Sequence, residues 1–369
     1  MSKSETTLIA SIRSMDNREL CILVGLLMPP AFALLVYFSV EPFSLLSGAS
    51  IWPAEFIKML ALWLSVFLLV TGAEKLKEVG GKIEEEFKFS DADTMDGSDD
   101  IRLIWKKYCD FTDWSERRRR VWPLAFFWYA LCLVLYLIQT PNIPARGPVA
   151  YWADIGLTQL TFLSFAVVFA YVSDALVHCN RLIDKLIEVD TYWPTESESQ
   201  ADTAVNKTIC DPVAEVITGI KREWFEIKLI AMRSGDISKT VYYPIYIILL
   251  LLAAQSDYFD NFDMPVSLML IASLNIALVL ILSISLRHKA VCARNVSLAR
   301  LEKYHGELLQ KDSGKERDKA MEKLSYYRGL IENCREGAFL PISEQPWLRA
   351  LTLMGGGGSS LLLLQYLAG

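Results

Sequence analysis

The sequence predicts an all-α, polytopic membrane protein with six to seven transmembrane helices and helical extensions in the cytoplasm. Hydrophobic residues make up 53% of the 369-residue chain, and its mean hydropathy is +0.28. Charged residues account for a further 22%, and they stand in blocks between the apolar runs. Between Tyr243 and Arg287, two apolar runs flank a single short acidic loop. Apolar runs of about 17–25 residues match the ~30 Å hydrocarbon core of a bilayer, so this stretch predicts a transmembrane hairpin.

Six apolar runs predict membrane spans, and a seventh apolar segment closes the chain. We expect the six spans over residues 20–38, 56–72, 121–139, 156–177, 243–256 and 265–286. Gly355–Gly358 and two serines interrupt the closing segment, residues 350–367. Small residues favour close helix contacts in lipid, whereas four glycines in a row weaken a helix. This segment could therefore be a broken span, a re-entrant piece or an apolar tail packed on other chains.

The distribution of Lys and Arg predicts the orientation, because cytoplasmic loops carry an excess of these residues. Basic residues cluster at the N-terminus and after the second, fourth and sixth spans, whereas loop 40–55 has none. We expect a bacterial inner-membrane protein with a cytoplasmic N-terminus. The expected organisation is membrane hairpins at 1–72, 121–178 and 241–287, cytoplasmic segments at 73–120, 179–240 and 288–349, and a Gly-rich segment at 350–369.

The third cytoplasmic segment has the apolar spacing of two long helices, with a turn at 311–315. We expect the first of these helices to continue the sixth span without a break.

Motifs of common catalytic and metal sites are absent from the sequence. None of the three histidines belongs to an H-E-x-x-H motif, and neither a Walker loop nor G-x-S-x-G occurs. The seven cysteines form no C-x-x-C pair, which indicates a reducing compartment. The net charge of −6 argues against general nucleic-acid binding. We therefore expect no enzyme, no metal site and no cofactor.

The sixth span carries polar side chains that are candidates to line a pore. Asn275 lies in the middle of the span, with Ser267, Ser283 and Ser285 on a broadly similar side of the helix. Lipid cannot satisfy such groups, so they face either water or other helices. Pore lining and interhelical hydrogen bonding, worth about 1 kcal/mol each, explain the pattern equally well.

Three carboxylates stand at the tip of the third hairpin: Asp257, Asp260 and Asp263. They would form an outer acidic ring if the hairpin surrounded a pore, and such rings attract cations. A solvated turn is the simpler interpretation of each aspartate.

Two basic clusters lie on the predicted cytoplasmic side. One consists of Arg117, Arg118, Arg119 and Arg120. It could bind anionic lipid or a phosphate ligand, although a plain basic membrane boundary is the simpler interpretation. The other consists of Lys221, Arg222, Trp224, Lys228 and Arg233. It could bind a nucleotide through charge and stacking, although a plain amphipathic helix explains it more simply.

Two patches in the last third of the chain resemble a group of uncharacterised bacterial multi-pass membrane proteins. The first patch is 241–245 with 259–263, and the second is 335–341 with 345–346, 349–351, the glycine run and 364–367. The layout is also similar to channel-like membrane effectors of anti-phage systems such as Hailong. These effectors pair a membrane domain with a cytoplasmic signal-binding domain, so the resemblance implies an effector that responds to a signal.

Together these features predict an oligomeric membrane channel or pore-type effector that is gated by its cytoplasmic helices. The expected partners are the lipid bilayer, further copies of the chain and a nucleotide or oligonucleotide signal. The alternative is a non-conducting membrane scaffold that docks a cytoplasmic partner protein. A secondary transporter ranks third, because the sequence has neither a charged mid-membrane site nor an inverted repeat.

Overall fold

The computed structural model describes residues 52–87, 101–138, 148–188, 212–254, 266–310 and 314–349, together with residue 352. All regular secondary structure in these ranges is helical, which confirms the predicted all-α class. The first predicted span, residues 20–38, lies outside the described residues, as does the closing apolar segment apart from Thr352. The helices are α1 (Trp52–Glu86), α2 (Ile101–Thr112), α3 (Trp114–Ile138), α4 (Pro148–Glu188), α5 (Pro212–Thr240), α6 (Tyr242–Ala254), α7 (Val266–Leu309) and α8 (Lys315–Glu332).

Four stretches of described helix are long and apolar enough to cross a bilayer. They are Phe56–Glu86, Ile155–Glu188, Val216–Ala254 and Ser273–Leu309. These stretches contain or overlap the second, fourth, fifth and sixth predicted spans. The chain therefore has four candidate membrane-spanning helices in its described part, and the predicted number of six to seven is not confirmed.

Helix α3 forms over the predicted third span, although it is not one of these four candidates. Much of its surface is apolar and exposed, including Trp122, Phe126, Phe127 and Leu137. Contiguous exposed apolar surface of this kind is covered by lipid or by another chain in membrane proteins. The other side of α3 packs against α4, where the Trp128 ring stacks on Phe169 with their centres 4.8 Å apart.

Helix α4 is the centre of the bundle. It packs against α1, α3, α5, α6 and α7. Its middle is apolar on every side, and a helix of that kind is stable only when neighbours or lipid surround it. The largest fully buried side chains of this helix are Phe165, Tyr171, Leu176, Ile183 and Leu186. Because α4 touches so many partners, its polar end brings several other helices together.

Helix α6 is too short to cross a bilayer alone. Its 13 residues extend about 20 Å at 1.5 Å per residue, against a hydrocarbon core of ~30 Å. Only Val241 separates it from α5, and the candidate span Val216–Ala254 covers both helices. Pro244 lies in the first turn of α6, where a missing backbone N–H costs no helical hydrogen bond. The last turns of α5 must therefore complete the predicted fifth span.

Helix α7 confirms the expected continuation of the sixth span. Its 44 residues are unbroken and extend about 66 Å, roughly twice the thickness of the hydrocarbon core. Helix α8 then packs against both α7 and α5.

The segment that follows α8 forms two short 3-10 turns, Gly337–Phe339 and Ile342–Glu344, of which the first packs on α5. Gly337 has φ 57°, and a Cβ at this position would lie 2.2 Å from the carbonyl oxygen of Ala231. The Ala338 N–H donates to Ser234 Oγ at 2.9 Å. The patch 335–341, which carries part of the resemblance, thus has a structural reason for its glycine.

Candidate functional site

Buried charge is concentrated at one end of the bundle, which we call the polar end. It comprises residues 73–87, 101–120, 174–188, 212–240 and 287–309. Three arrangements of buried charged side chains occupy it. We call them the Asp174 cluster, the Glu223 cluster and the Arg233 cavity, and each joins helices that are far apart in sequence.

In the Asp174 cluster, three basic side chains from α3 and α4 converge on one carboxylate. Arg117 Nε lies 3.0 Å from Asp174 Oδ2, and Arg120 Nε lies 3.1 Å from Oδ1. His178 Nε2 is also 3.1 Å from Oδ1, as its spacing of four residues along α4 permits. Asp174, Arg117 and His178 are all buried. A charge removed from water needs such partners, because desolvation is otherwise expensive.

Aromatic rings and carbonyl groups complete the Asp174 cluster. The Arg117 guanidinium stacks 3.7 Å from the centre of the Tyr171 ring and donates to the Tyr171 carbonyl oxygen at 2.7 Å. Arg120 lies in the same way over Phe111, at 3.7 Å, and donates to its carbonyl oxygen at 2.6 Å. Cation–π contacts of this kind gain strength when they are desolvated. The cluster thereby fixes α2, α3 and α4 to one another.

The predicted arginine tetrad is divided by this arrangement. Arg117 and Arg120 point into the protein, whereas Arg118 is exposed and the exposed Arg119 pairs with Glu116 at 3.3 Å. Two of the four arginines therefore serve the internal cluster, and two stay available at the surface.

The Glu223 cluster links α5 to α7. Glu223 is fully buried and Glu226 nearly so. Arg300 Nη1, from α7, lies 3.6 Å from Glu223 Oε2 and 3.7 Å from Glu226 Oε2. On α5 itself, Arg222 Nη2 approaches Glu223 Oε1 at 3.3 Å. Arg300 also donates to the Ile187 carbonyl oxygen at the end of α4, so the polar ends of three candidate spans meet here.

Sequence reasoning missed the Glu223 cluster, although a signal for it was present. Val216, Ile220 and Ile227 mark the apolar face of α5, and Glu223 lies on that same face at helical spacing. A carboxylate at a core position requires a buried cation nearby. What the sequence could not provide is the partner, because Arg300 is distant along the chain.

Side chains of the predicted basic-aromatic site on α5 take part in separate contacts. Arg222 belongs to the Glu223 cluster, Lys228 pairs with Glu86 of α1, and Arg233 contacts α1 and α2. Lys221 and Trp224 are half-buried. Three of the five side chains thus have separate partners, and a shared nucleotide-binding role for the group remains a prediction.

Arg233 is almost completely buried, with 4% of its surface exposed. Its Nε donates to the Tyr108 hydroxyl at 2.9 Å, and its Nη1 donates to the Leu76 carbonyl oxygen at 2.9 Å. Both acceptors are neutral. A backbone carbonyl carries no net charge, and burial raises the pKa of the Tyr108 hydroxyl to about 12. Among the described residues, no carboxylate forms an ion pair with Arg233.

A cavity of about 510 Å³ lies beside Arg233, between α1, α2 and the first turn of α3. Arg233 and Arg117 both line it, together with Tyr171, Gly80 and Gly81. Burial raises the pKa of Cys109, in the same lining, to about 12, so this thiol is protonated and inert near neutral pH. The cavity volume lies within the range of small-molecule sites.

The pore candidates of the sixth span are placed differently from one another. Asn275 is buried and donates to the Ile271 carbonyl oxygen of its own helix at 2.6 Å. Ser283 is buried and donates to the Val279 carbonyl oxygen at 2.7 Å. Ser285 is half-buried, and the side chain of Ser267 is outside the described part of the chain. Asn275 and Ser283 therefore face other helices of the same protomer, and a pore-lining role stays a prediction.

The acidic hairpin tip, Asp257, Asp260 and Asp263, lies outside the described residues. Within the described ranges, no group of three or more His, Cys, Asp or Glu side chains could hold a metal ion.

Comparison with known proteins gives no relative: no protein-family model matches the chain, and neither a curated protein nor a solved structure does. The resemblance of the C-terminal patches to bacterial membrane proteins and defence effectors therefore stays a prediction. Fold and site together define the described part of the chain as all-helical, with four candidate membrane spans and a polar end rich in buried charge.

Proposed function

We propose that the protein is an oligomeric membrane channel or pore-type effector whose opening is controlled by its polar end. One observation carries the proposal: α7 runs without a break from a candidate membrane span into the polar end. A continuous helix is a rigid element, so its polar half cannot move without moving its apolar half. A signal bound at the polar end would thereby act on the membrane helices.

The Glu223 cluster is the contact through which this control operates. Arg300 holds α7 against Glu223 and Glu226 of α5, and α5 leads after one residue into α6. Both helices of the third membrane hairpin are therefore tied to one group of buried charges. Removing one partner from such a group costs about 3–5 kcal/mol, because an uncompensated charge stays buried. This free energy is large enough to keep one arrangement of α5 and α7 strongly favoured at rest.

Flux measurements on liposomes that contain the purified protein test the proposal. Arg300→Met removes the α7 half of the contact, and we expect it to raise cation flux in the absence of any signal. A loss of only 1.4 kcal/mol from the resting arrangement changes the open-to-closed ratio about tenfold. Lys303→Met is the matched control, since Lys303 is exposed on the same helix. Flux that is equal in the two variants would contradict control through this contact.

A non-conducting membrane scaffold is the second candidate, and the surface of α7 favours it. Its apolar half exposes the large apolar side chains of Leu270, Leu274, Ile281 and Ile284, and Ser273 is a polar side chain exposed among them. An oligomer whose axis was formed by this surface would be dry, and an apolar constriction conducts poorly. Liposomes that stay impermeable with the wild type and with Arg300→Met, while the protein remains oligomeric, would favour the scaffold.

A further inference from the structure

The Arg233 cavity contains a buried positive charge that the described chain does not neutralise. An isolated buried ion is expensive, and buried arginines normally pair with carboxylates. Arg117 shows the usual solution in the same cavity wall, because Asp174 holds it at 3.0 Å. Arg233 instead has only neutral acceptors, the Tyr108 hydroxyl and the Leu76 carbonyl oxygen. A guanidinium has five N–H donors, so capacity for an anion remains.

Two glycines give the cavity its room. Gly80 is buried, yet a Cβ built on it would meet no heavy atom within 4 Å, and a Cβ on the exposed Gly81 would also meet none. Glycine in a helix interior destabilises the helix relative to alanine. Packing within the described protein does not require either glycine, since no neighbour stands where a side chain would go. The missing side chains leave open the part of the cavity that α1 lines.

The mouth of the cavity has the opposite charge from its floor. The exposed carboxylates Glu74, Asp110 and Asp113 line it, together with the exposed amine of Lys77 and the half-buried Glu84. A bare polyanion would be repelled by these carboxylates on its way in. A molecule with an anionic group and a nearby cationic group would satisfy both the arginine floor and the acidic mouth.

We infer that this cavity binds a phosphate ester that carries an amine, with its phosphate against Arg233 and Arg117 and its amine among the mouth carboxylates. Arginine matches the oxygens of phosphate with paired N–H donors, which makes phosphate a suitable anion for this floor. The lining part of α1 begins directly after the predicted second span, and a span over residues 56–72 would place it at the depth of the lipid headgroups. The ligand is therefore either a soluble amino-phosphate ester or the headgroup of an aminophospholipid, and both have the same chemistry. The inference goes beyond the proposed function and does not depend on conduction.

Calorimetric titration of the detergent-purified protein with phosphoethanolamine tests the soluble source. Glycerol 3-phosphate, which has a phosphate but no amine, is the comparison ligand, and we expect it to bind at least tenfold more weakly. Native mass spectrometry of protein from nanodiscs tests the lipid source, with phosphatidylethanolamine and phosphatidylglycerol supplied in equal amounts. Retention of phosphatidylethanolamine without binding of phosphoethanolamine would assign the site to lipid. Binding in neither experiment, or equal binding of both members of each pair, would overturn the inference.

A cavity-filling variant links the binding to this site. Gly80→Leu places a side chain in the open space, and we expect it to weaken binding at least tenfold without lowering the melting temperature. Gly306→Leu is the matched control, because Gly306 is also helical with open space around its Cβ but does not line the cavity. Arg233→Lys keeps the charge and removes the paired donors, so it should weaken binding as well. Unchanged affinity in Gly80→Leu would overturn the assignment, whatever the flux measurements show about conduction.

Discussion

Replacement of Asp174 by asparagine is predicted to destabilise the protein strongly. The substitution keeps the size of the side chain and one acceptor oxygen but removes the charge that Arg117, Arg120 and His178 share. Arg117 is 3% exposed, so it would remain a buried cation without a counter-ion. Breaking a buried pair in this way costs about 3–5 kcal/mol. We expect the lower end, near 3 kcal/mol, because Arg117 keeps its contacts with Tyr171.

The free energy of unfolding in mixed detergent micelles measures this effect. A loss of about 3 kcal/mol lowers the folded-to-unfolded ratio roughly a hundredfold, since each 1.4 kcal/mol is a factor of ten. Glu116→Gln is the control, because its pair with Arg119 is exposed and such pairs contribute at most about 1 kcal/mol. The double variant Arg117→Met with Asp174→Leu should recover part of the loss, since an apolar pair can replace a buried ion pair. Equal destabilisation by Asp174→Asn and Glu116→Gln would refute the reasoning.

Two further predictions concern the segment packed on α5 and the reactivity of two cysteines. Gly337→Ala should lower the free energy of unfolding. The positive φ alone costs about 1–3 kcal/mol, and the clash of the new Cβ with the Ala231 carbonyl oxygen adds to that cost. Gly329→Ala, with open space around its Cβ, should leave it unchanged or raise it, and thermal unfolding compares the two. Cys292 is exposed and should react with a maleimide at pH 8 much faster than Cys109. Because burial raises the pKa of Cys109 to about 12, its reactive thiolate forms only as the pH rises toward that value. Mass spectrometry of the labelled protein measures the two labelling rates, and equal rates would contradict the shielding of Cys109.

The sequence predicted those parts of the structure that depend on local pattern. Apolar runs of sufficient length indicated the helices around residues 56–72, 156–177 and 265–286, and the unbroken spacing after Arg287 indicated the continuation of α7. The limits of α6 are close to those of the expected span. The sequence did not show, however, that the last turns of α5 are needed to reach the length of a membrane span. A run of 13 apolar residues does not reveal which neighbour extends it.

The buried charge clusters could not be predicted, because each joins residues that are distant in sequence. The spacing of Asp174 and His178 along one helix was visible, but the approach of Arg117 across 57 positions was not. A run of four arginines was interpreted as a membrane boundary, since nothing local separates an arginine that faces inward from one that faces outward. Only the packing of α3 on α4 decides that two of them serve Asp174.

The different partners of the buried arginines are the reason to expect a ligand at one of them. Buried Arg117 has Asp174, and half-buried Arg300 has Glu223 and Glu226. At these sites the chain pairs its arginines with its own carboxylates. Arg233 is buried to the same degree as Arg117, lines the same cavity, and has no such partner in the described part of the chain. Carboxylates do line the mouth of that cavity, but none of them forms an ion pair with Arg233. A guanidinium that stays unneutralised beside open volume is therefore expected to take its counter-charge from a molecule that enters the cavity.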